Sequence, residues 1–306
     1  MNRPVNGTWR SVFSSSEDQI RDPETSPAGK QAFLVSWVSG AVESLFATLF
    51  PADCCLCGSP LIKISRLPVC EDCLSAMRPI AGGVCSICGE CLVSPYAFTA
   101  EGDEPRCGLC RRMAPPFDMA VAYGSYDGGL RELIHLLKYE QVRPAARVLG
   151  RMLHEAMASL KDLPNDAVVV PIPLHRKKLR QRGFNQVELI ARAALKLESQ
   201  PRRLFSNTIE RQRETKSQIG LTSHQRRENM RGAFVVAKPA QISGREVLLV
   251  DDVYTTGTTV SECARILRRA GASKVWVVTV ARSLKTNATF AEVNESENSV
   301  AMAAAG

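Results

Sequence analysis

Residues 247–260, VLLVDDVYTTGTTV, carry two carboxylates and four threonine hydroxyls around one glycine, all placed directly after an apolar run. Adjacent acids such as Asp251 and Asp252 can accept from the vicinal hydroxyls of a ribose, directly or around a bound Mg²⁺. Gly257 permits a tight loop, and a helix beginning near Thr259 would add free amides and its positive end. With Thr255, Thr256, Thr258 and Thr259 as further donors, the segment is a cradle for a monophosphate. No GxxxxGK stretch is present, which argues against hydrolysis of nucleoside triphosphates. A second stretch, HRKKLRQRGFNQ at 175–186, sets five basic side chains between Arg176 and Arg182, suited to polyanions.

The cysteines form a separate constellation. Ten of the eleven lie between positions 54 and 110. They include four CxxC pairs: Cys54/Cys57, Cys70/Cys73, Cys85/Cys88 and Cys107/Cys110. A two-residue gap lets the chain turn so that both sulfurs reach one ion, and two sets of four thiolates can each enclose a tetrahedral Zn²⁺. Sequential pairing, Cys54/Cys57/Cys70/Cys73 and Cys85/Cys88/Cys107/Cys110, gives two compact ribbons, and interleaved pairing is the alternative. Gly58, Gly89 and Gly108 beside the pairs suit tight turns. Four thiolates leave no open coordination position, so two structural zinc sites are expected. Disulfides and a redox or iron–sulfur role are the competing uses of such cysteines, and nothing else in the chain points to export. Cys55 and Cys91 fall outside both sets.

The elements that must hold these groups can be read from periodicity. Residues 119–126 form a strand and turn, and Leu130, Leu133, Ile134 and Leu137 mark one face of a helix ending near 138–140. DAVVVPIP at 166–173 is a strand stopped by prolines, followed by a basic loop and a helix carrying Val187, Leu189, Ile190, Ala193, Ala194 and Leu195. REVLLV at 245–250 and KVWVVTVA at 274–281 are further strands. Between them Cys263, Ile266, Leu267 and Ala270 make an apolar helical stripe closed by Gly271, which places Cys263 in the core. This alternation predicts an α/β fold, a mostly parallel sheet flanked by helices. Ligands in such folds sit beyond the carboxyl ends of the strands, so the acid pair and the basic loop should share one crevice. Among the histidines, His135 and His154 fall on helices, His224 in a polar stretch, and His175 beside the basic loop, where it could meet phosphate or support a turn.

The net charge of +8 favours anionic partners without choosing among them. Residues 1–30 read as a disordered leader. Residues 31–50 read as an amphipathic helix on Phe33, Trp37, Ala41, Leu45 and Leu49. Its uncharged part runs twelve residues before Glu43, short of the roughly 20 needed to span a bilayer. Residues 284–306 read as a flexible tail. No spanning segment and no signal peptide are expected, and a cytoplasmic location follows.

The motif VLLVDDVYTTGTT resembles the site of type I phosphoribosyltransferases that binds phosphoribosyl pyrophosphate (PRPP). More narrowly, FPADCCLCG at 50–58, the further CxxC pairs, LKY at 137–139, PIPLHRKKLRQRGFNQ at 171–186 and ENMRGAF at 228–234 resemble the ComF/GntX-like family of competence-associated proteins. The likeness covers roughly residues 40–282. It implies a double zinc ribbon over 51–115 and a phosphoribosyltransferase domain over 116–283. It also implies that Asp251 and Asp252 meet the ribose hydroxyls, that Thr255, Thr256, Gly257, Thr258 and Thr259 hold the 5′-phosphate, and that Arg176, Lys177, Arg180 and Arg182 face pyrophosphate with Mg²⁺. Residues 211–231, with Arg211, Lys216, Arg226, Arg227 and Arg231, resemble the lid that closes over PRPP. Thr255 stands where purine-salvage relatives often carry an acid, which argues against a carboxylate-assisted purine acceptor. The implied activity is phosphoribosyl transfer to an unidentified acceptor. The alternative is a PRPP-sensing or single-stranded-DNA-handling accessory protein working with competence proteins.

Overall fold

A computed structural model describes residues 53–61, 66–92, 104–213 and 228–284. The leader, the 31–50 helix, nearly all of the 284–306 tail, His224 and the lid residues Lys216, Arg226 and Arg227 lie outside the described residues. The chain divides into two units, Met1–Arg78 and Pro79–Gly306.

In the first unit, the chain turns at Cys54–Cys57 and pairs Asp53 with Pro60 across the turn. Gly58 at φ 73° returns its N–H to the Cys54 carbonyl at 2.8 Å. Cys70 then opens the short helix α1 (Glu71–Ala76), its sulfur accepting from the Cys73 amide. The second unit begins with the same arrangement. Val84 pairs with Cys91, Gly89 at φ 72° donates to the Cys85 carbonyl at 2.9 Å, and Cys107 caps α2 (Gly108–Arg112). The turn role expected for glycine holds at Gly58 and Gly89, whereas Gly108 is the first residue of a helix.

Beyond the ribbon come β1 (Met119–Ser125), α3 (Gly128–Lys138), α4 (Ala145–Ala158), β2 (Val168–Pro171), α5 (Arg176–Arg182) and α6 (Gln186–Leu195). A small antiparallel pair, β3 (Ile209–Arg211) and β4 (Phe234–Val236), stands apart from the main sheet. β5 (Glu246–Tyr254), α7 (Thr258–Arg269) and β6 (Lys274–Arg282) complete the described chain. The main sheet is parallel, in the order β1-β6-β5-β2. Its central strands are buried on both faces, which is why their sequences are nearly continuous branched apolar runs rather than alternating ones.

Residue parity assigns the faces. Val168, Val170, Val247, Leu249, Val275 and Val277 share a core with Val260, Cys263, Ala264 and Leu267 of α7. The alternate residues must point to the opposite side. There α4 and α6 cross so closely that a Cβ on Gly150 would lie 2.5 Å from Ala193 Cβ and 3.0 Å from the Ile190 carbonyl oxygen. Cys263 is fully buried in this core.

Two local expectations need correction. The basic stretch is not a loop: His175 Nδ1 accepts from the Lys177 amide at 3.3 Å, Gly183 terminates the turn at φ 78°, and the residues between are helical. Likewise β5 does not stop at Val250. Pairing with β6 continues through Asp251↔Thr279 to Tyr254↔Arg282, so the acid pair belongs to the strand. The polar side chains misled the reading, because the neighbouring strand supplies hydrogen-bond partners whatever the side chains are.

Candidate functional site

Because Asp251 and Asp252 are consecutive strand residues, they leave on opposite faces of the sheet. Asp252 enters the α3/α6 side. Lys138 Nζ, at the last residue of α3, donates to its Oδ1 at 2.7 Å, and Gln186 Nε2, at the first residue of α6, donates to its Oδ2 at 2.6 Å. Arg182 in turn donates to Gln186 Oε1, and its guanidinium lies 5.5 Å from the ring centroid of Tyr139. Both members of the Lys138–Asp252 pair are largely withdrawn from water, with side chains 16% and 7% exposed. Burial alone would pull the Lys138 pKa down, but the attraction of Asp252, and then of Asp251, leaves it raised.

Asp251 points toward α7. It accepts the Asp252 amide at 2.9 Å. Burial, together with the charge of Asp252, raises its carboxyl to about 7, with Lys138, the Asp252 amide and Arg211 acting the other way. Arg211, on β3, packs over Phe234 at 5.3 Å. Burial lowers its pKa, opposed by the fields of Cys263 and Asp251. The strand end therefore presents one carboxylate already paired with an ammonium and a second poised near neutrality.

Immediately beyond, Thr255 and Thr256 are exposed, Thr258 and Thr259 half-buried, and Thr256 Oγ1 lies 2.9 Å from Thr258 Oγ1. Gly257 takes φ 72° and heads α7 with no side chain capping the helix amides. Uncapped amides at the positive end of a three-turn helix suit a phosphate. Only glycine fits there, since a Cβ would fall 2.2 Å from the hydroxyl oxygen of Tyr254.

The basic residues separate by environment. Arg182 joins the acid network through Gln186, whereas Arg176, Lys177 and Arg180 are exposed, and Arg176 meets Glu210 only at 4.0 Å on the surface. Arg231 is exposed beside Glu228 at 3.9 Å. His175 serves as a helix cap. His135 hydrogen-bonds the Tyr126 hydroxyl at 3.0 Å. Lys138 and Gln186 were missed as site residues, although each stands within a motif, LKY and GFNQ, noted above. The available signal was a charged residue closing an apolar helical face directly upstream of an exposed aromatic.

Each cysteine set is gathered in chain order. The four sulfurs of Cys54, Cys57, Cys70 and Cys73 lie within 4.8 Å of one another, as do those of Cys85, Cys88, Cys107 and Cys110. Cys55 and Cys91 belong to neither. The sulfur separations and the all-thiol donor set fit one tetrahedral zinc each. Side-chain contact with Cys88 draws Cys85 down to about 4, while burial pushes Cys110 up to about 12.

A model of the phosphoribosyl transferase domain matches residues 187–294, which span the acid pair and the phosphate loop. The parallel sheet, with acids and a glycine-headed helix at its carboxyl edge, defines a type I phosphoribosyltransferase fold. The DNA utilization protein YhgH of Salmonella typhi is 32% identical over 243 residues, covering 76% of this chain and 98% of that protein. Competence protein F of Haemophilus influenzae is 30% identical over 223 residues, covering 70% and 96%. Competence protein ComFC of Bacillus subtilis is 27% identical over 218 residues, covering 70% and 84%. The chain belongs to the ComF/GntX-like family, and its phosphoribosyltransferase domain follows two four-cysteine clusters.

Proposed function

We propose that the crevice at the carboxyl ends of β2 and β5 binds PRPP with Mg²⁺ and transfers its phosphoribosyl group to an acceptor. The observation that carries this reading is the juxtaposition of Asp251 and Asp252 with the uncapped N-terminus of α7. The loop holds the 5′-phosphate and the acids take the ribose hydroxyls. Lys138 and Gln186 hold Asp252 in place, while Arg182 and the exposed arginines face the pyrophosphate. As the C1–pyrophosphate bond lengthens, positive charge grows on the sugar and negative charge on the leaving group. Fixed cations beside the latter lower the barrier. We assign the polar, basic segment between β3 and β4, whose residues 214–227 lie outside the described residues, as the cover that keeps water from the reactive sugar. Zinc in both cysteine sets is structural, which calls for a reducing compartment such as the cytoplasm.

Calorimetry of full-length, zinc-replete protein with PRPP, with and without Mg²⁺, tests this reading. Wild type should bind only with Mg²⁺, and the folded Asp251→Asn, Asp252→Asn variant should lose binding by at least about a hundredfold. Because Asp251 titrates at about 7, affinity should rise as pH climbs from 6 to 8. Wild type that fails to bind would end the phosphoribosyl reading.

The names of the relatives, DNA utilization and competence, support a second reading as a DNA-handling accessory protein. One surface favours it: exposed Leu109 and Met113 beside the basic Arg106, Arg111 and Arg112 at α2. Single-stranded DNA binding that survives neutralisation of both acids would favour this role. No helix among the described residues is long and apolar enough to cross a membrane.

A further inference from the structure

The second cysteine set and the phosphate loop lie at two ends of one short chain of buried contacts. Arg282, the last residue of β6, has a side chain only 4% exposed. One guanidinium nitrogen donates to the Cys88 carbonyl, and the other donates to Glu90 Oε2 at 2.7 Å and lies 3.9 Å from Cys88 Sγ. The same guanidinium sits 4.3 Å from the centroid of the Tyr254 ring, directly opposite in the strand register. Tyr254 also meets Phe117 edge-on at 6.4 Å. Its hydroxyl end lies against Gly257, the one loop residue that tolerates no side chain.

An arginine here is a costly choice, since an apolar residue would close the end of a sheet without desolvating a charge. What an apolar residue could not do is satisfy a carbonyl, a carboxylate and an aromatic face at once, which needs a planar fork. Gly257 itself has left-handed backbone and no side-chain cap beneath it, so its position depends on the phenol against which it rests.

We propose that Arg282 and Tyr254 are positioning residues through which the Cys85/Cys88/Cys107/Cys110 ribbon holds the Thr255–Thr259 loop in its phosphate-binding shape. This inference rests on the phosphoribosyl reading for its purpose, but the coupling can be measured without it. The ribbon fixes Cys88 and Glu90, these fix the guanidinium, the guanidinium fixes the ring, and the ring fixes Gly257. Metal loading at the second set then determines whether the loop is preformed.

The test uses full-length protein with zinc content verified, comparing wild type with Arg282→Lys and Tyr254→Leu. Amide hydrogen exchange is followed over residues 255–261, with β2 and α4 as internal references. Folded variants should exchange the loop about tenfold faster while the reference elements hold their wild-type rates. Mg²⁺·PRPP should bind about tenfold more weakly. Stripping zinc from wild type should loosen the loop more than it loosens β2 and α4, and in Tyr254→Leu it should add nothing to that difference. If Arg282→Lys and Tyr254→Leu do not fold, Tyr254→Phe decides, with about threefold faster loop exchange expected. Loop exchange at the wild-type rate in a folded variant, or loosening shared equally with β2 and α4, would overturn the proposal. Failure of wild type to bind Mg²⁺·PRPP would remove the phosphoribosyl reading and leave the exchange result to judge the coupling.

Discussion

The two cysteine ribbons repeat one local design and differ in what surrounds it. Each has a CxxC turn closed by a left-handed glycine, then a second CxxC opening a short helix. In the first set Cys54 is buried, Cys70 and Cys73 are half-buried and Cys57 is exposed. Cys85, Cys88 and Cys110 of the second are buried in the same core as Tyr254, Val260 and the sheet valines. The second turn is also bonded to an edge strand, the Ala120 amide donating to the Ile87 carbonyl at 2.7 Å. Four thiols at this spacing suffice to build a knuckle, and the residues outside the motif decide whether it stays a module or becomes part of another domain's core.

The largest effect that would break this contrast is loss of metal ligands. Cys85→Ser with Cys88→Ser should cost the sheet unit about 5 kcal/mol or more, because metal binding there is folding energy. Cys54→Ser with Cys57→Ser should release one zinc while the sheet melts as in wild type. Circular dichroism with zinc stoichiometry reads both, and equal losses would abolish the distinction.

Next comes the buried ion pair. Arg282→Met removes the buried guanidinium that serves both the Cys88 carbonyl and Glu90 and should destabilise by about 3–5 kcal/mol, with part recovered by adding Glu90→Gln. A denaturant midpoint unchanged by Arg282→Met would mean that the ribbon is not anchored through this side chain.

The sharpest comparison uses equivalent glycines. Gly58 and Gly89 share the left-handed conformation, but a Cβ on Gly58 meets nothing within 4 Å, whereas one on Gly89 falls 2.8 Å from the Ala120 carbonyl oxygen. Gly58→Ala should cost only backbone strain, about 1 kcal/mol, and Gly89→Ala about 2–4 kcal/mol.

The smallest effect is a pH signature. The native Asp251 carboxyl, raised to about 7, holds its proton where the unfolded chain has released it. Stability relative to Asp251→Asn is therefore full below about pH 4 and declines as pH rises through 7. The variant should match wild type at pH 4 and gain on it steadily as pH rises toward 8.

Much of the frame was legible because it rests on short-range rules. Cys263, Ile266, Leu267 and Ala270 announced the helix behind the phosphate loop, and apolar runs at 166–173, 245–250 and 274–281 announced buried parallel strands. The acid pair was recognisable as chemistry but placed just beyond the strand's end, because polar residues within a strand look like its end until the partner strand is known. His175 could meet phosphate or support a turn, and the backbone trajectory after Pro173 made it the cap of α5.

By itself the sequence determined the local pieces: the CxxC turns, the glycine-headed phosphate loop, the strand and helix periods, and through them the family. Only the tertiary structure decided that Lys138 would meet Asp252 across 114 residues of chain and that Arg282 would meet Glu90 across 192. Local spacing is written into bond geometry and side-chain period, which neighbouring residues set alone. Distant charges are matched by the order of strands and the faces that helices cover, and those arise from packing the whole domain together.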